Sequence, residues 1–131
     1  MPEADNPLHG KRVLIVEDES RVAMMLGDIL VDIGCEVAGM ATRLGDALAK
    51  AEALEFDVAL LDVNLDGEPS YPVAEAIAAR GRAFVFATGY DCGHVPESLR
   101  DRPVLQKPYR LRDLERALQT ALAWGAAARL A

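Results

Sequence analysis

The sequence predicts an α/β fold, a doubly wound five-stranded parallel sheet with helices on both faces. Short apolar stretches at 13–16, 58–61 and 83–87 are continuous rather than alternating, which is typical of strands that helices cover on both sides. Segments with apolar residues at helical spacing lie between these stretches. This alternation of strand and helix predicts a parallel sheet, because each connection then crosses back over the sheet through a helix.

The first half of the chain supplies three strands and two helices. After a strand at 12–16, apolar residues recurring at i, i+3, i+4 and i+7 predict a helix over 22–33. Ser20 is the candidate N-cap of this helix and Gly34 its C-cap. Three further elements follow in order: a strand at 36–40, a helix at 44–54 and a buried strand at 58–62.

The second half continues the pattern with one irregular connection. Pro72 and Gly81 bound a third helix, and the strand at 83–87 follows it. The next stretch contains glycines and a proline, so only a short or degenerate fourth helix is predicted, at 96–99. The last elements are a strand at 104–105 and a long helix from Leu111 to about Trp124.

Size and charge exclude several classes of protein. At 131 residues the chain is expected to form one domain, 1–131, with its core at about 11–124. A net charge of −7 argues against generic nucleic-acid binding, and no apolar run approaches the roughly 20 residues that span a bilayer. The polar N-terminus does not resemble a secretion signal, so we expect a cytoplasmic protein without membrane attachment. Cys35 and Cys92 lie in no metal or redox spacing and are expected to be isolated thiols.

Chemically distinctive residues follow the predicted strands. Glu17 and Asp18 end the first strand, Asp62 the third, Thr88 the fourth and Lys107 the fifth. Because ligands of doubly wound sheets bind beyond the carboxyl ends of the strands, we expect these side chains to meet at one edge.

This set of residues suits phosphoryl transfer at a metal site. Three crowded carboxylates need a cation to neutralise them, and an all-oxygen ligand set favours Mg²⁺ or Mn²⁺ over zinc. Lys107 and Thr88 could bind the oxygens of a transferring phosphoryl group. Asp62 is the candidate nucleophile, because it ends the central strand and a carboxylate can form an aspartyl-phosphate.

Four motifs in order resemble the receiver domain of two-component response regulators. They are VLIVEDE at 13–19, VALLDVNLDG at 58–67, FVFATGY at 84–90 and QKPY at 106–109. The resemblance implies a flavodoxin-like, CheY-like sheet of order 2-1-3-4-5. It implies these roles: Asp62 as phosphoacceptor, Thr88 as switch hydroxyl, Lys107 as essential lysine, and Glu17, Asp18, Asp62 and the backbone carbonyl of Asn64 as Mg²⁺ ligands.

The motifs also indicate a subgroup and two departures from the family. The FATGY run is similar to the FATGUY group of stand-alone receivers, named for a P-F-x-F-A-T-G motif, although Ala83 replaces its proline. The usual aromatic switch residue, three positions before the lysine, is Val104 here. The gap between Thr88 and Lys107 is short for a receiver, which also indicates a reduced fourth helix.

The resemblance predicts a bacterial signalling switch. It implies that a histidine kinase or histidine phosphotransferase donates the phosphoryl group, and that the chain is not a turnover enzyme although it catalyses its own phosphotransfer and autodephosphorylation. No output domain follows in this sequence, so we expect signalling by protein–protein contact or phosphotransfer, from a monomer or weak dimer. The alternative is an adaptor that keeps the fold and acts without phosphorylation.

Two charged regions allow different interpretations. The sequence from residue 100 onward is net positive, and its arginines could line a surface for an acidic partner or simply be solvated: Arg100, Arg102, Arg110, Arg112 and Arg116. The DVNLDG run resembles the start of a calcium loop but has Val73 where a glutamate is needed. Asp66 and Glu68 are therefore expected to be solvated loop acids.

Overall fold

The computed structural model describes residues 6–89, 99 and 102–130, with 124–130 described by backbone alone. Within these ranges the chain forms seven strands and four helices. In order they are β1 (Arg12–Val16), α1 (Ser20–Asp32), β2 (Glu36–Ala41), α2 (Leu44–Ala53), β3 (Val58–Asp62), β4 (Asn64–Leu65), β5 (Glu68–Pro69), α3 (Tyr71–Ala79), β6 (Ala83–Thr88), β7 (Val104–Gln106) and α4 (Leu111–Leu130).

Five of the strands form one parallel sheet in the order β2-β1-β3-β6-β7. If only the five strands of this sheet are numbered, leaving out β4 and β5, the order is 2-1-3-4-5, as predicted. β3 is the central strand, with β1 and β6 on either side of it. The predicted fold class is therefore confirmed.

The helices divide between the two faces of the sheet, which explains why the strands are continuously apolar. Helices α1 and α4 pack on one face, and their buried residues include Leu26, Leu30, Leu114 and Leu118. Helices α2 and α3 cover the other face, against Phe84 and Phe86 of β6 among others. In β1, β3 and β6, alternate residues pack into the two different cores.

Some local predictions differ from the structure. Ser20 is the first residue of α1 rather than its cap, because the backbone is still extended at Glu19, whose side chain makes no capping hydrogen bond. Gly34 does close this helix, with a positive φ of 101° that a residue with a Cβ adopts at a cost. Helix α4 continues past Trp124 to Leu130, because its alanine-rich end favours helix.

The core extends further toward the N-terminus than the predicted boundary at residue 11. Leu8 is fully buried against the α1 and α4 face. Asn6 fixes this segment, since its Nδ2 donates to the Ile33 carbonyl at 2.9 Å and its Oδ1 accepts from the Leu8 N–H at 3.0 Å.

The predicted short helix at 96–99 lies outside the described residues except for Leu99, which is buried. In the part of the chain that is described, no helix combines the length and apolarity needed to cross a membrane.

Candidate functional site

The sequence-predicted residues occupy the same edge of the sheet. Glu17 and Asp18 follow β1, Asp62 is the last residue of β3, Thr88 is the last residue of β6 and Lys107 follows β7. Because these four strands are parallel and adjacent, their carboxyl ends bring the residues together from distant parts of the sequence.

Lys107 links the first and third strands through its ammonium group. Its Nζ lies 3.1 Å from Glu17 Oε1 and 3.1 Å from Asp62 Oδ2. Burial lowers the pKa of Lys107, but the carboxylates of Glu17 and Asp62 outweigh this effect and raise it above the usual value. The site therefore holds a permanent positive charge beside the candidate nucleophile.

Three carboxylates form a compact cluster next to this lysine. Glu17, Asp18 and Asp62 each offer an oxygen, and these oxygens lie within 4.8 Å of one another. Glu17 is only 3% exposed, and its Oε2 has no hydrogen-bond partner. Burial first, and then the neighbouring Asp62 and Asp18, raise the pKa of Glu17 to about 8. A buried, unpartnered oxygen among like charges is what a hard divalent cation would satisfy.

Asp18 differs from Glu17 because it is hydrogen-bonded in its charged form. Its Oδ2 accepts from the backbone N–H of Asp66 at 3.0 Å. Burial pushes the pKa of Asp18 upward, but Glu17 and the Asp66 N–H outweigh it, so the pKa lies below its usual value. The pair thus contains one carboxylate that ionises readily and one that resists ionisation without a cation.

The loop after Asp62 forms a small hairpin that sequence reasoning missed. Strands β4 and β5 pair Leu65 with Glu68, and Asp66 and Gly67 form the turn with φ values of 52° and 88°. Asp66 and Glu68 have exposed side chains, as expected of loop acids. The Asp-Gly dipeptide was the available signal for this hairpin, since it favours two-residue turns with positive φ.

Asn64 lies at the start of this hairpin. Its N–H donates to Asp62 Oδ1 at 3.3 Å, and its Oδ1 accepts from the Gly67 N–H at 2.7 Å. The side chain therefore closes the turn. That its backbone carbonyl is a metal ligand stays a prediction.

Thr88 is 4% exposed at the end of β6. Its carbonyl accepts the Lys107 N–H at 2.8 Å, which fixes the two strand ends relative to each other. Movement at Thr88 would therefore reach Lys107 through one backbone hydrogen bond.

The C-terminal arginines do not share one surface. Arg110, Arg112 and Arg116 are exposed, whereas Arg102 is buried with its guanidinium 4.7 Å from the centre of the Phe84 ring. Including Arg102 in a solvent-facing patch was therefore wrong, because its cation stacks on an aromatic ring of the core. Arg100 lies outside the described residues.

The family model for the response regulator receiver domain matches residues 13–119. The chain belongs to this family. Its resemblance to receivers is thereby confirmed; the subgroup stays a prediction.

Known proteins similar to this receiver include one of nearly the same length and two longer regulators. The solution structure of SdrG from Sphingomonas melonis Fr1 is 47% identical, with a TM-score of 0.75, over 86% of this chain and 97% of that one. The transcriptional regulatory protein PdtaR of Mycobacterium tuberculosis is 31% identical over 86% of this chain and 57% of its own length. The crystal structure of the response regulator PhyR from Brucella abortus is 26% identical, with a TM-score of 0.76, over 92% of this chain and 51% of that one.

Over a shorter segment, this receiver is similar to the chemotaxis protein CheY of Thermotoga maritima. The two are 45% identical over 43% of this chain and 47% of CheY. The receiver thus spans about half the length of the curated relatives that it matches.

Proposed function

We propose that this receiver is a phosphorylatable switch in which Asp62 accepts a phosphoryl group from a histidine kinase or histidine phosphotransferase in the presence of Mg²⁺. One observation carries the proposal: the Lys107 ammonium contacts Asp62 while Glu17 and Asp18 crowd the same carboxylate. A lone aspartate at a strand end would suggest only a turn residue.

The residues fit a magnesium ion. The carboxylates of Glu17, Asp18 and Asp62, with the backbone carbonyl of Asn64, would hold it through oxygen ligands. The unpartnered Oε2 of Glu17 supports this assignment, because a buried carboxylate oxygen without a donor is costly. When bound, Mg²⁺ supplies positive charge that offsets the negative charge of an approaching phosphoryl group.

Asp62 and Lys107 would carry out the transfer itself. A carboxylate oxygen of Asp62 attacks phosphorus, the new P–O bond forms as the P–N bond to the donor histidine breaks, and the imidazole leaves with the electron pair. Lys107 orients the carboxylate beforehand through its contact with Oδ2. As the phosphoryl group arrives, the ammonium can exchange this contact for a phosphoryl oxygen.

Thr88 would couple the modified site to the rest of the protein. Phosphorylation replaces the single negative charge of the Asp62 carboxylate by up to about two on the phosphoryl oxygens, and the adjacent strand β6 ends in the Thr88 hydroxyl. We infer that Thr88 turns toward the phosphoryl group and that the following segment transmits the signal. Position 104 cannot supply a turning aromatic ring, because Val104 occupies it and is 42% exposed.

One comparison supports a phosphoryl-dependent switch. A solution structure described as the BeF3-activated conformation of SdrG is 46% identical over 85% of this chain, with a TM-score of 0.71. We infer that this receiver also changes conformation on phosphorylation and signals through protein contact or onward phosphotransfer.

The test is a mass measurement of the intact protein after treatment with acetyl phosphate and Mg²⁺. We expect the wild type to gain one phosphoryl mass, EDTA to prevent the gain, and Asp62→Asn to abolish it. The matched control is Asp66→Asn, because Asp66 is an exposed acid of the same loop and should leave labelling intact.

The same experiment separates the switch from the adaptor. If the wild type gains no mass with acetyl phosphate or with a phosphorylated histidine phosphotransferase, the phosphorylation-independent adaptor is favoured. Full labelling of Asp62→Asn would show that another residue is the acceptor.

A further inference from the structure

The hairpin β4–β5 reaches the acid cluster through its backbone. The N–H of Asp66 is directed at Asp18 Oδ2, 3.0 Å away and 48 positions earlier in the sequence. Asp18 is one of the three acids whose oxygens cluster within 4.8 Å. A backbone hydrogen bond therefore orients the Asp18 carboxylate, one of the three acids of the cluster.

The turn that presents this N–H has a specific backbone conformation. Asp66 and Gly67 both have positive φ, 52° and 88°, as a two-residue type I′ turn requires. The Gly67 N–H donates to Asn64 Oδ1 at 2.7 Å, which holds the turn closed. The direction of the Asp66 N–H thus depends on two residues that tolerate left-handed backbone.

The base of the hairpin is fixed to the protein core. The Val63 N–H donates to the Ala87 carbonyl of β6 at 3.0 Å, and the Val63 carbonyl accepts from the Ser70 N–H at 2.8 Å. Leu65 is 2% exposed and packs in the α2 and α3 face of the core. Because both ends of the hairpin are anchored, its turn holds the N–H at a defined place relative to β3.

We propose that the turn of Asp66 and Gly67 is a positioning element for the cation, which it serves by holding the Asp18 carboxylate toward Glu17 and Asp62. This inference rests on the proposed function, since it concerns the Mg²⁺ site named there. Hydrogen-bond partners of a metal ligand commonly set the affinity of the site, because they fix the ligand before the ion arrives.

The structure offers a matched pair of glycines for the test. Gly67 and Gly10 have similar positive φ values, 88° and 74°, and in both cases an added Cβ would meet nothing within 4 Å. A β-branched residue is disfavoured at positive φ, so Gly67→Val and Gly10→Val impose the same kind of backbone strain. Only Gly67→Val imposes it beside Asp66.

The measurement is calorimetric titration of each folded variant of the 131-residue chain with Mg²⁺ alone. Gly67→Val should weaken Mg²⁺ binding about tenfold or more, whereas Gly10→Val should keep the wild-type affinity despite a similar loss of thermal stability. Gly67→Asn should restore most of the affinity, because asparagine tolerates left-handed backbone.

The outcomes separate the two proposals. Mg²⁺ binding by the wild type with unchanged affinity in Gly67→Val, or an equal loss in Gly10→Val, would overturn the positioning role and leave the proposed function intact. Absence of Mg²⁺ binding and of acetyl phosphate labelling in the wild type would instead overturn the proposed function.

Discussion

Replacing Glu17 by glutamine should stabilise the metal-free protein at alkaline pH and reduce its response to Mg²⁺. The wild-type side chain is 3% exposed and has one oxygen without a partner. Burial and the acids beside it raise its pKa to about 8. The amide has nearly the same shape and carries no charge to be repelled or desolvated.

The magnitude follows from the distances. The cluster oxygens of Asp18 and Asp62 lie within 4.8 Å of the Glu17 oxygen, so at an effective dielectric constant of about 20 each repulsion is worth at least about 3.5 kcal/mol. The attraction to Lys107 across 3.1 Å is worth about 5 kcal/mol on the same scale. Two repulsions exceed one attraction by about 2 kcal/mol, and desolvation of the carboxylate adds to this difference.

The sign of the pH dependence follows from proton binding. The folded pKa of Glu17 is about 8 against an ordinary value of 4.5, so between these values the folded state holds a proton that the unfolded state releases. The metal-free wild type therefore loses stability as pH rises from about 4.5 to about 8. Glu17→Gln lacks this contribution, so its advantage should be small near pH 5 and largest near pH 9.

The assay is urea denaturation in EDTA at both pH values, with Glu19→Gln as the control because Glu19 is an exposed acid two positions away. We expect about 2 kcal/mol or more of added stability for Glu17→Gln near pH 9, and little change for Glu19→Gln. Mg²⁺ at about one hundred times its dissociation constant should stabilise the wild type by about 2.7 kcal/mol and Glu17→Gln by less. A variant that is less stable than wild type near pH 9 in EDTA would refute the reasoning.

Three further measurements test other parts of the structure. Lys107→Ala should slow labelling by acetyl phosphate roughly 100- to 1,000-fold. It should not weaken Mg²⁺ binding in a titration, because the ammonium repels a cation, and weaker binding would contradict its role. On a Cys92→Ser background, Cys35 should resist a thiol reagent until urea unfolds the protein. The reason is that burial raises the pKa of the Cys35 thiol to about 11. Rapid reaction of the folded form would be inconsistent with its burial. Arg80→Ala should lower the free energy of unfolding by about 2 kcal/mol, because its guanidinium donates to the carbonyls of Ala51 and Leu54 at the end of α2, at 2.6 and 2.9 Å. An unchanged urea midpoint would contradict this stabilising role.

The sheet was predictable because its strands are buried on both faces. The strands β1, β3 and β6 are continuously apolar, and helical patterns follow β1 and β3, so the type of these elements could be read locally. The order of the strands in the sheet came from the resemblance to receivers. The strand ends were predictable for the same reason, since a polar residue after a buried strand has few places to lie other than the edge of the sheet.

Two of the missed features depend on contacts between distant segments, and the third is a very short hairpin. β4 and β5 have two residues each, too few to show an alternating pattern. The hydrogen bond from Asp66 to Asp18 uses a backbone N–H, which leaves no trace in the residue types. The same holds for Arg102, because an arginine over an aromatic ring and an arginine in solvent look alike in sequence.

The packing of the sheet explains how the fold tolerates the crowded acids of the site. The repulsion among the acids is unfavourable in the metal-free state, so something else must keep them together. Glu17 and Asp62 follow runs of strand residues that are at most 2% exposed, and the hydrogen bonds of the parallel ladder fix one strand against the next. The backbones that carry the acids are held by strands packed on both faces, so the acids stay close to one another. The charge imbalance therefore persists, and it can be relieved by a bound cation, by protonation of Glu17 or by a change in where Lys107 points. Two of these changes, cation binding and a new contact for Lys107, are the ones that the proposed function uses.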